Sequence, residues 1–238
     1  MLTDFFRIIL LQPLFNGLVL LYEHVAFEDL GIAIILLTIV VRIILFPLFH
    51  KTAKHQKLAQ KIQPEVKKIQ KKHKNDKEAQ TKALMELYKE HNVNPLTPIF
   101  LLILQLPVLF AMYRIFINGF SGDVFDMLYS FVQTPVNINQ DFLGIIALDA
   151  VSIPLVIITA GAQYVQGILV VKRSSSKEDT PDQIAKMSKF MVYVGPAIAL
   201  VILIRFDAAV AIYWLTSTLF SIIQQIIVNR SVHDDKKS

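Results

Sequence analysis

The chain has 238 residues, of which 54% are hydrophobic and 18% are charged, and its mean hydropathy is +0.50. This is more apolar sequence than a soluble domain of this size needs for its core, so the composition predicts an integral membrane protein. The chain has no cysteine, which excludes a disulfide framework, a thiolate metal site and a cysteine nucleophile. The net charge of +5 is unevenly distributed, and that asymmetry predicts the orientation of the chain in the membrane.

The N-terminal segment is apolar but is interrupted by Arg7, Gln12, Pro13 and Asn16. A membrane span would have to bury these groups, and a cleaved signal sequence would need a more basic start and a small-residue cleavage site. We therefore predict an amphipathic helix over residues 1–30, lying in the outer membrane interface and broken near Pro13. A sixth span and a signal sequence are the alternatives.

Residues 31–50 are predicted to form the first membrane span, since about 20 apolar residues cross the hydrocarbon core. Arg42 lies inside this run, and the first basic residue after it is Lys51, about 13 Å further along the helix axis. An arginine side chain covers about half of that distance, so snorkelling to the interface is a strained explanation. An ionisable residue at this depth predicts a functional site.

Residues 51–96 contain twelve Lys and five Asp or Glu, and the positive-inside rule assigns them to the cytoplasm. Apolar stripes over 58–69 and 83–88 predict two helices packed on each other, joined by a turn in which Asn75 is the predicted N-cap. This basic hairpin could bind ribosomal RNA or anionic lipid headgroups, or guide a polypeptide. The alternative is a solvated face whose charge only fixes the topology.

Four further apolar segments are each near the length of a membrane span. They are residues 97–118, 151–171, 188–204 and 208–229. The loop 119–150 has four Asp and neither Lys nor Arg, so it is predicted to lie outside the cell. The loop 172–187 and the tail 230–238 are predicted to be cytoplasmic.

No Asp or Glu occurs within the five predicted spans, so Arg42 has to be solvated by water or neutral polar groups. Thr38 lies one turn earlier on the same helical face. The other spans supply Gln105, Gln163, Gln166, Tyr213, Trp214, Thr216, Ser217, Ser221, Gln224 and Gln225. Together they predict a hydrated pocket around one fixed positive charge. The alternatives are an arginine that packs against helix-end carbonyls or draws water inward, and glutamines that only join helices.

No metal site, cofactor or catalytic site is predicted. The six histidines avoid the span interiors, and no HExxH, GxSxG or P-loop pattern occurs. The spans also lack the acid or histidine relay that proton-coupled transport usually needs. A polar-lined channel or solute transporter is the rival class, although the inverted repeats typical of many transporters are not evident.

Four segments in order resemble the YidC family of membrane protein insertases, over about residues 13–230. They are TIVVRIILFPL in the first span, QPEVKKIQKKHKND with LYKEHNVNPL in the hairpin, PIFLLILQLPVLFAMYRIF in the second span and AIYWLTSTLFSIIQQIIVNR in the last. The resemblance is to the short form of the family, which lacks a large periplasmic domain. It implies an all-α integral membrane protein with a core of five transmembrane helices, an outer-surface helix before them and a cytoplasmic hairpin.

The resemblance also implies a hydrophilic groove, closed on its outer side, through which polar segments of nascent membrane proteins pass. It places Arg42 and Thr38 in the groove, and the aromatic pair Tyr213 and Trp214 in contact with substrate. Gln105 and Ser217 match further groove positions.

The same resemblance implies a non-enzymatic protein that needs no nucleotide. The implied partners are nascent membrane proteins, the ribosome through the 51–96 hairpin, the Sec translocon and membrane lipids, with no role for DNA. The implied location is the bacterial cell membrane, with the C-terminus cytoplasmic and the N-terminus outside.

Overall fold

The computed structural model describes residues 5–49, 58, 61–94, 107–116, 122–135, 137–171 and 182–234. Within these ranges the protein is mainly α-helical, with one small antiparallel sheet of two strands. The predicted all-α class is therefore confirmed.

The helices of the described residues are numbered here in chain order. They are α1 (Gln12–His24), α2 (Leu30–Ile44), α3 (Gln63–Lys72), α4 (Lys77–Glu90), α5 (Pro107–Phe116), α6 (Ile153–Val171), α7 (Asp182–Leu203) and α8 (Ala208–Asp234). A π-helical turn, Arg7–Leu11, leads into α1, and a 3₁₀ turn covers Gly122–Met127. The strands are β1 (Asp141–Phe142) and β2 (Ile146–Ala147).

One described stretch, Ala208–Ile227 in α8, is long and apolar enough by itself to cross a membrane. Shorter apolar helices cover Leu30–Ile44, Pro107–Phe116, Ile153–Leu169 and Val192–Leu203. The tightest packing joins α6 to α7 and α8, and α8 also packs against α2.

Helix α2 ends at Ile44, well before the predicted end of the first span at residue 50. Pro47 has no N–H to continue the helical ladder, so the chain turns at Leu45. A further helical turn follows, in which the N–H groups of Leu48 and Phe49 donate to the Leu45 carbonyl. As a result, Arg42 lies in the last turn of α2 and not in the middle of a longer helix.

The N-terminal segment stays helical through Pro13, where a break was predicted. Its winding changes from π to α at Gln12, next to this residue that cannot donate a backbone hydrogen bond. Asn16 then ties α1 to the loop after the 3₁₀ turn begins, since its Nδ2 donates to the Met127 carbonyl at 2.8 Å and its Oδ1 accepts from the Tyr129 N–H at 2.7 Å. The segment is thus held to the loop 122–150 by buried hydrogen bonds.

Asp29 caps α2 and holds the same loop. One carboxylate oxygen accepts from the Ile32 N–H at 2.9 Å, and the other accepts from the Leu143 N–H at 2.6 Å. Gly31 lies against the Phe142 ring so closely that a methyl group at this position would overlap it. The β-hairpin is therefore fixed to the start of α2.

The loop also supplies acceptors for the start of α8, whose first N–H groups have no partner within the helix. The N–H of Ala208 donates to the Ala150 carbonyl at 2.8 Å, and that of Ala209 to the Leu148 carbonyl at 3.2 Å. Burial, and to a smaller degree the nearby Asp149, raise the pKa of the Asp207 carboxyl at this junction. This end of the bundle is closed by hydrogen bonds from three separate parts of the chain.

Helices α3 and α4 pack on each other around a small core of their own. Its buried members are Ile62, Val66, Leu87 and Val93. The N-cap of α4 is Asp76, one residue after the predicted Asn75, and its carboxylate accepts from the Ala79 N–H at 2.9 Å. Since α4 begins at Lys77, Asp76 is the residue directly before the first turn, and its carboxylate is the one placed to accept from an unpaired N–H.

Candidate functional site

Arg42 lines a cavity between α2, α5 and α8. The described residues of its wall are Thr38, Val41, Arg42, Leu45, Phe49, Val108, Tyr213 and Ser217. The cavity has a volume of about 10 Å³. A single water needs about 10–15 Å³ by this measure. In this state the cavity is narrow and accommodates about one water-sized ligand.

Thr38 and Arg42 are one turn apart on α2, and both side chains are buried. The Thr38 hydroxyl donates to the Ile34 carbonyl at 2.6 Å, so its hydrogen is used within the helix and only its lone pairs remain to accept. Arg42 stands near the carbonyl end of α2, where the helix dipole favours positive charge. The sequence left open the alternative that Arg42 packs against the carbonyl groups at a helix end, and its position on α2 agrees with that alternative.

Phe49 provides an aromatic partner for the Arg42 guanidinium. The Arg42 Cζ lies 4.7 Å from the centroid of the Phe49 ring, a cation–π contact. Such a contact stabilises by about 2 kcal/mol when it is desolvated. Phe49 was missed in the sequence, although its spacing of two turns from Arg42 would have placed both on one stripe of a continuous helix.

No carboxylate among the described residues forms an ion pair with Arg42. Along the chain the nearest acidic residues are Asp29 and Glu65. Asp29 is at the opposite end of α2, about 20 Å away along the axis.

Helix α8 contributes Tyr213 and Ser217, one turn apart and both almost completely buried. The Ser217 Oγ makes no hydrogen bond of good geometry among the described residues, although the Tyr213 phenol lies close enough to interact with it. Trp214 lies next to Tyr213 but outside the cavity wall, and its Nε1 is also buried without a described partner. The Trp214 Nε1–H is thus left without an acceptor among the described residues.

Gln163 does not line the cavity. Its Nε2 donates to the Thr218 Oγ1 at 3.1 Å, and the Thr218 Oγ1 donates to the Trp214 carbonyl at 2.9 Å. Its Oε1 lies against Gly195 of α7, so this side chain joins three helices. Gln163 therefore joins helices, which is the alternative role that the sequence left open for buried glutamines. Gln105 lies outside the described residues.

The structure therefore brings Thr38, Arg42, Tyr213 and Ser217 to one cavity, and it places Trp214 and Gln163 beside it. Across the described ranges, no three side chains of the His, Cys, Asp and Glu types come together in a way that could hold a metal ion. The arrangement offers a fixed positive charge and hydroxyl groups, and it contains no nucleophile paired with a base.

Comparisons with known proteins agree on one family. Residues 20–236 match the family model described as 60Kd inner membrane protein. Three similar proteins carry the name "Membrane protein insertase YidC". The one from Pelobacter propionicus is 30% identical over 227 residues, covering 95% of this chain and 39% of the relative. The one from Streptomyces avermitilis is 32% identical over 224 residues, covering 84% and 51%. The one from Clostridium tetani is 32% identical over 204 residues, covering 84% and 81%.

The chain thus spans about two fifths of the length of relatives such as the Pelobacter protein and most of the length of the Clostridium protein.

Proposed function

The chain belongs to the 60Kd inner membrane protein family, and from this we propose that it acts as a membrane protein insertase and not as an enzyme. Its clients are nascent membrane proteins, whose short polar segments it moves across the membrane while their apolar helices enter the lipid. The observation that carries this proposal is that Arg42 is buried, pairs with no described carboxylate and shares the wall of a cavity with Thr38, Tyr213 and Ser217.

The proposed topology has five membrane spans, at 31–50, 97–118, 151–171, 188–204 and 208–229. Residues 1–30 lie on the outer surface, the loop 119–150 is outside, and 51–96, 172–187 and 230–238 are in the cytoplasm. The apolar helices α2, α5, α6, α7 and α8 support the spans, and the distribution of Lys and Asp supports the orientation. The location is the bacterial cell membrane, with the C-terminus inside and the N-terminus outside.

A client's polar outer segment would dock near Arg42. Moving one charged residue into the hydrocarbon costs about 2.5–3.5 kcal/mol on insertion scales, and a local positive charge with hydroxyl groups lowers that cost for an acidic segment. The membrane potential adds a driving force of about 2.3 kcal/mol per charge per 100 mV. Trp214, Gln105 and Gln163 complete the proposed client-binding set. Widening of the cavity to a groove is part of the proposal, since its present width admits one water.

The α3–α4 hairpin is the proposed contact for the ribosome, and the Sec translocon is a further proposed partner. Its helices bury four apolar residues between them and leave most of their lysines exposed. A separate small core of this kind lets the hairpin hold its shape while it presents positive charge to RNA or to anionic lipid headgroups.

Insertion into proteoliposomes tests the function. With a client whose outer segment is acidic, we expect Arg42→Ala to lower the insertion rate by about tenfold or more, because the described wall of the cavity then carries no positive charge. Arg42→Lys should retain most of the rate. Arg205→Ala is the matched control, since Arg205 lies exposed in the turn between α7 and α8.

If the Arg42→Ala variant inserted that client at the wild-type rate, the proposed role of the arginine would be ruled out. Flux of a small solute through the same vesicles, with no client present, would instead support the polar-lined channel.

A further inference from the structure

Three large apolar side chains are exposed near the start of α2, outside the proposed spans. The exposed fraction is 91% for Phe27, 59% for Leu143 and 82% for Ile145. Leu143 and Ile145 belong to the turn between β1 and β2. Phe27 lies two residues before Asp29, whose carboxylate accepts from the Leu143 N–H. The three side chains therefore belong to one part of the surface, which we call the apolar patch.

The backbone at two of these positions favours a different type of residue. Leu143 has a φ of +54° and Gly144 one of +65°, and the Ile145 N–H donates to the Phe142 carbonyl at 3.0 Å. Such a turn normally has Asn, Asp or Gly at its first central position, because a bulky side chain is strained at positive φ. Phe27 also has a φ of +54°. The local fold thus gives no reason for an apolar residue at either position, and an exposed outlier of this kind points to a role outside the fold.

The position of the apolar patch in the fold indicates what covers it. The β-hairpin is bonded to the first turns of two apolar helices, through Asp29 at the start of α2 and through the Leu148 and Ala150 carbonyls at the start of α8. The apolar stretch of α8 begins at Ala208, the residue that bonds to Ala150. In the proposed topology these two helix starts mark the outer boundary of the hydrocarbon. The hairpin therefore lies at the level where an apolar side chain can reach the lipid.

We propose that Phe27, Leu143 and Ile145 enter the outer leaflet of the membrane, at the boundary between the headgroups and the acyl chains. An exposed apolar patch marks a membrane contact or a protein contact, and the level of this one favours the membrane. Its neighbours Glu28 and Asp141 are exposed and acidic, so burial of apolar surface and not attraction to anionic lipid supplies the driving force. This proposal rests on the proposed membrane topology, and it adds a lipid contact for the outer loop.

The accessibility of a spin label tests the proposal, with the full-length protein in nanodiscs of phosphatidylcholine. The chain has no cysteine, so Ile145→Cys carries a single nitroxide. Oxygen concentrates in lipid and a nickel chelate stays in water, so the ratio of their collision rates with the nitroxide measures its depth. We expect this ratio to be several-fold higher at Ile145→Cys than at Gln133→Cys, an exposed polar position of the same loop. Ile157→Cys, exposed on α6 within a proposed span, is the reference for a position in lipid.

A double variant separates the membrane contact from folding. Phe27→Asn and Leu143→Asn, combined with the label at position 145, introduce a residue that tolerates a left-handed backbone. The melting temperature in detergent should therefore stay the same or rise. The depth ratio should nevertheless fall several-fold, toward the value at Gln133→Cys, because two apolar side chains are lost. Phe131→Asn is the matched control, since Phe131 is exposed in the same loop and is not at positive φ, and it should leave the ratio unchanged.

The reference position distinguishes a failure of this proposal from a failure of the topology. If Ile145→Cys had the ratio of Gln133→Cys while Ile157→Cys was in lipid, the topology would stand and the membrane contact would be wrong. The apolar patch would then be a surface for a protein partner. If Ile157→Cys were also in water, the topology would fail and the proposal with it. An unchanged ratio in the double variant would overturn the proposal as well.

Discussion

Arg42 and Phe49 meet because the chain turns between them. The helix ends at Ile44, Pro47 prevents its continuation, and the ring of Phe49 comes within 4.7 Å of the guanidinium carbon. The aromatic face gives the cation a partner that adds no acidic group to an apolar region. The local chain path, as much as the residue type, therefore determines how this charge is accommodated.

Replacing Phe49 tests this contact. Phe49→Leu keeps an apolar side chain but removes the aromatic face, so we expect a loss of about 1–2 kcal/mol in unfolding free energy. Phe49→Tyr should retain most of the stability. The measurement is thermal or denaturant unfolding in detergent micelles, with Phe110→Leu as the control at an exposed phenylalanine of α5. Equal destabilisation by Phe49→Leu and Phe110→Leu would contradict the cation–π role.

Asp207 gives a pH-dependent prediction. Burial, with Asp149 as the smaller cause, raises the pKa of this carboxyl in the folded protein. A raised acid pKa adds stability that is fully present below the ordinary value of about 3.9 and is lost as the pH rises through the folded value. Asp207→Asn should therefore gain melting temperature relative to the wild type as the pH rises from 4 to 7. Asp149→Asn should show the same trend more weakly. If the difference in melting temperature between Asp207→Asn and the wild type did not change with pH, the raised pKa of Asp207 would be refuted.

At the residue scale, the sequence already pointed to Thr38, Arg42, Tyr213 and Ser217, which line one cavity in the structure, while their role in client binding stays a prediction. An arginine in an apolar run is conspicuous, Thr38 follows from the helical spacing, and the resemblance supplied the two α8 positions. Phe49 was not predictable in the same way, because an apolar residue within a long apolar run carries no distinguishing signal. Gln163 could not be placed from its type, since a glutamine can face a cavity or another helix with the same spacing.

At the scale of elements, α3 and α4 form a unit whose stability depends on very few residues. The described core of this unit has four buried members, with Ile69, Leu84 and Tyr88 packed around it. The period of the apolar residues was enough to predict both helices and their contact. The end of α2 was harder to predict, because a span predicted from hydropathy alone extends past Pro47 to residue 50.

Leu87 and Met85 are two apolar residues of α4 that differ in burial. Leu87→Ala should destabilise the hairpin by about 2–4 kcal/mol, enough to unfold it locally, whereas Met85→Ala should have little effect because Met85 is half exposed. Hydrogen–deuterium exchange of residues 61–94 measures the result. The exchange of α6 and α8 serves as the internal control and should not change. Similar exchange of the two variants would show that the small core does not hold the hairpin together.

At the scale of the whole molecule, the distribution of charge makes the orientation testable. The natural absence of cysteine means that any single introduced thiol is labelled without background. In spheroplasts, a membrane-impermeant maleimide should label Gln133→Cys in the outer loop at once. It should label Lys74→Cys, in the turn between α3 and α4, only after the membrane is permeabilised. Both positions are exposed. The reverse pattern would mean that the orientation proposed from the lysines is inverted.

The hydrogen bonds of Asn16, Asp29 and Ala208 fix one end of the bundle. Helix α8 can then be treated as a rigid rod that tilts about a pivot at Ala208. A tilt of about 10° would move Ser217 by about 2 Å and Gln225 by about 4 Å, since each residue adds 1.5 Å of length. Any widening at Arg42 is therefore accompanied by a larger displacement toward the far end of α8, so a passage formed in this way would taper and would be narrowest at the pivot.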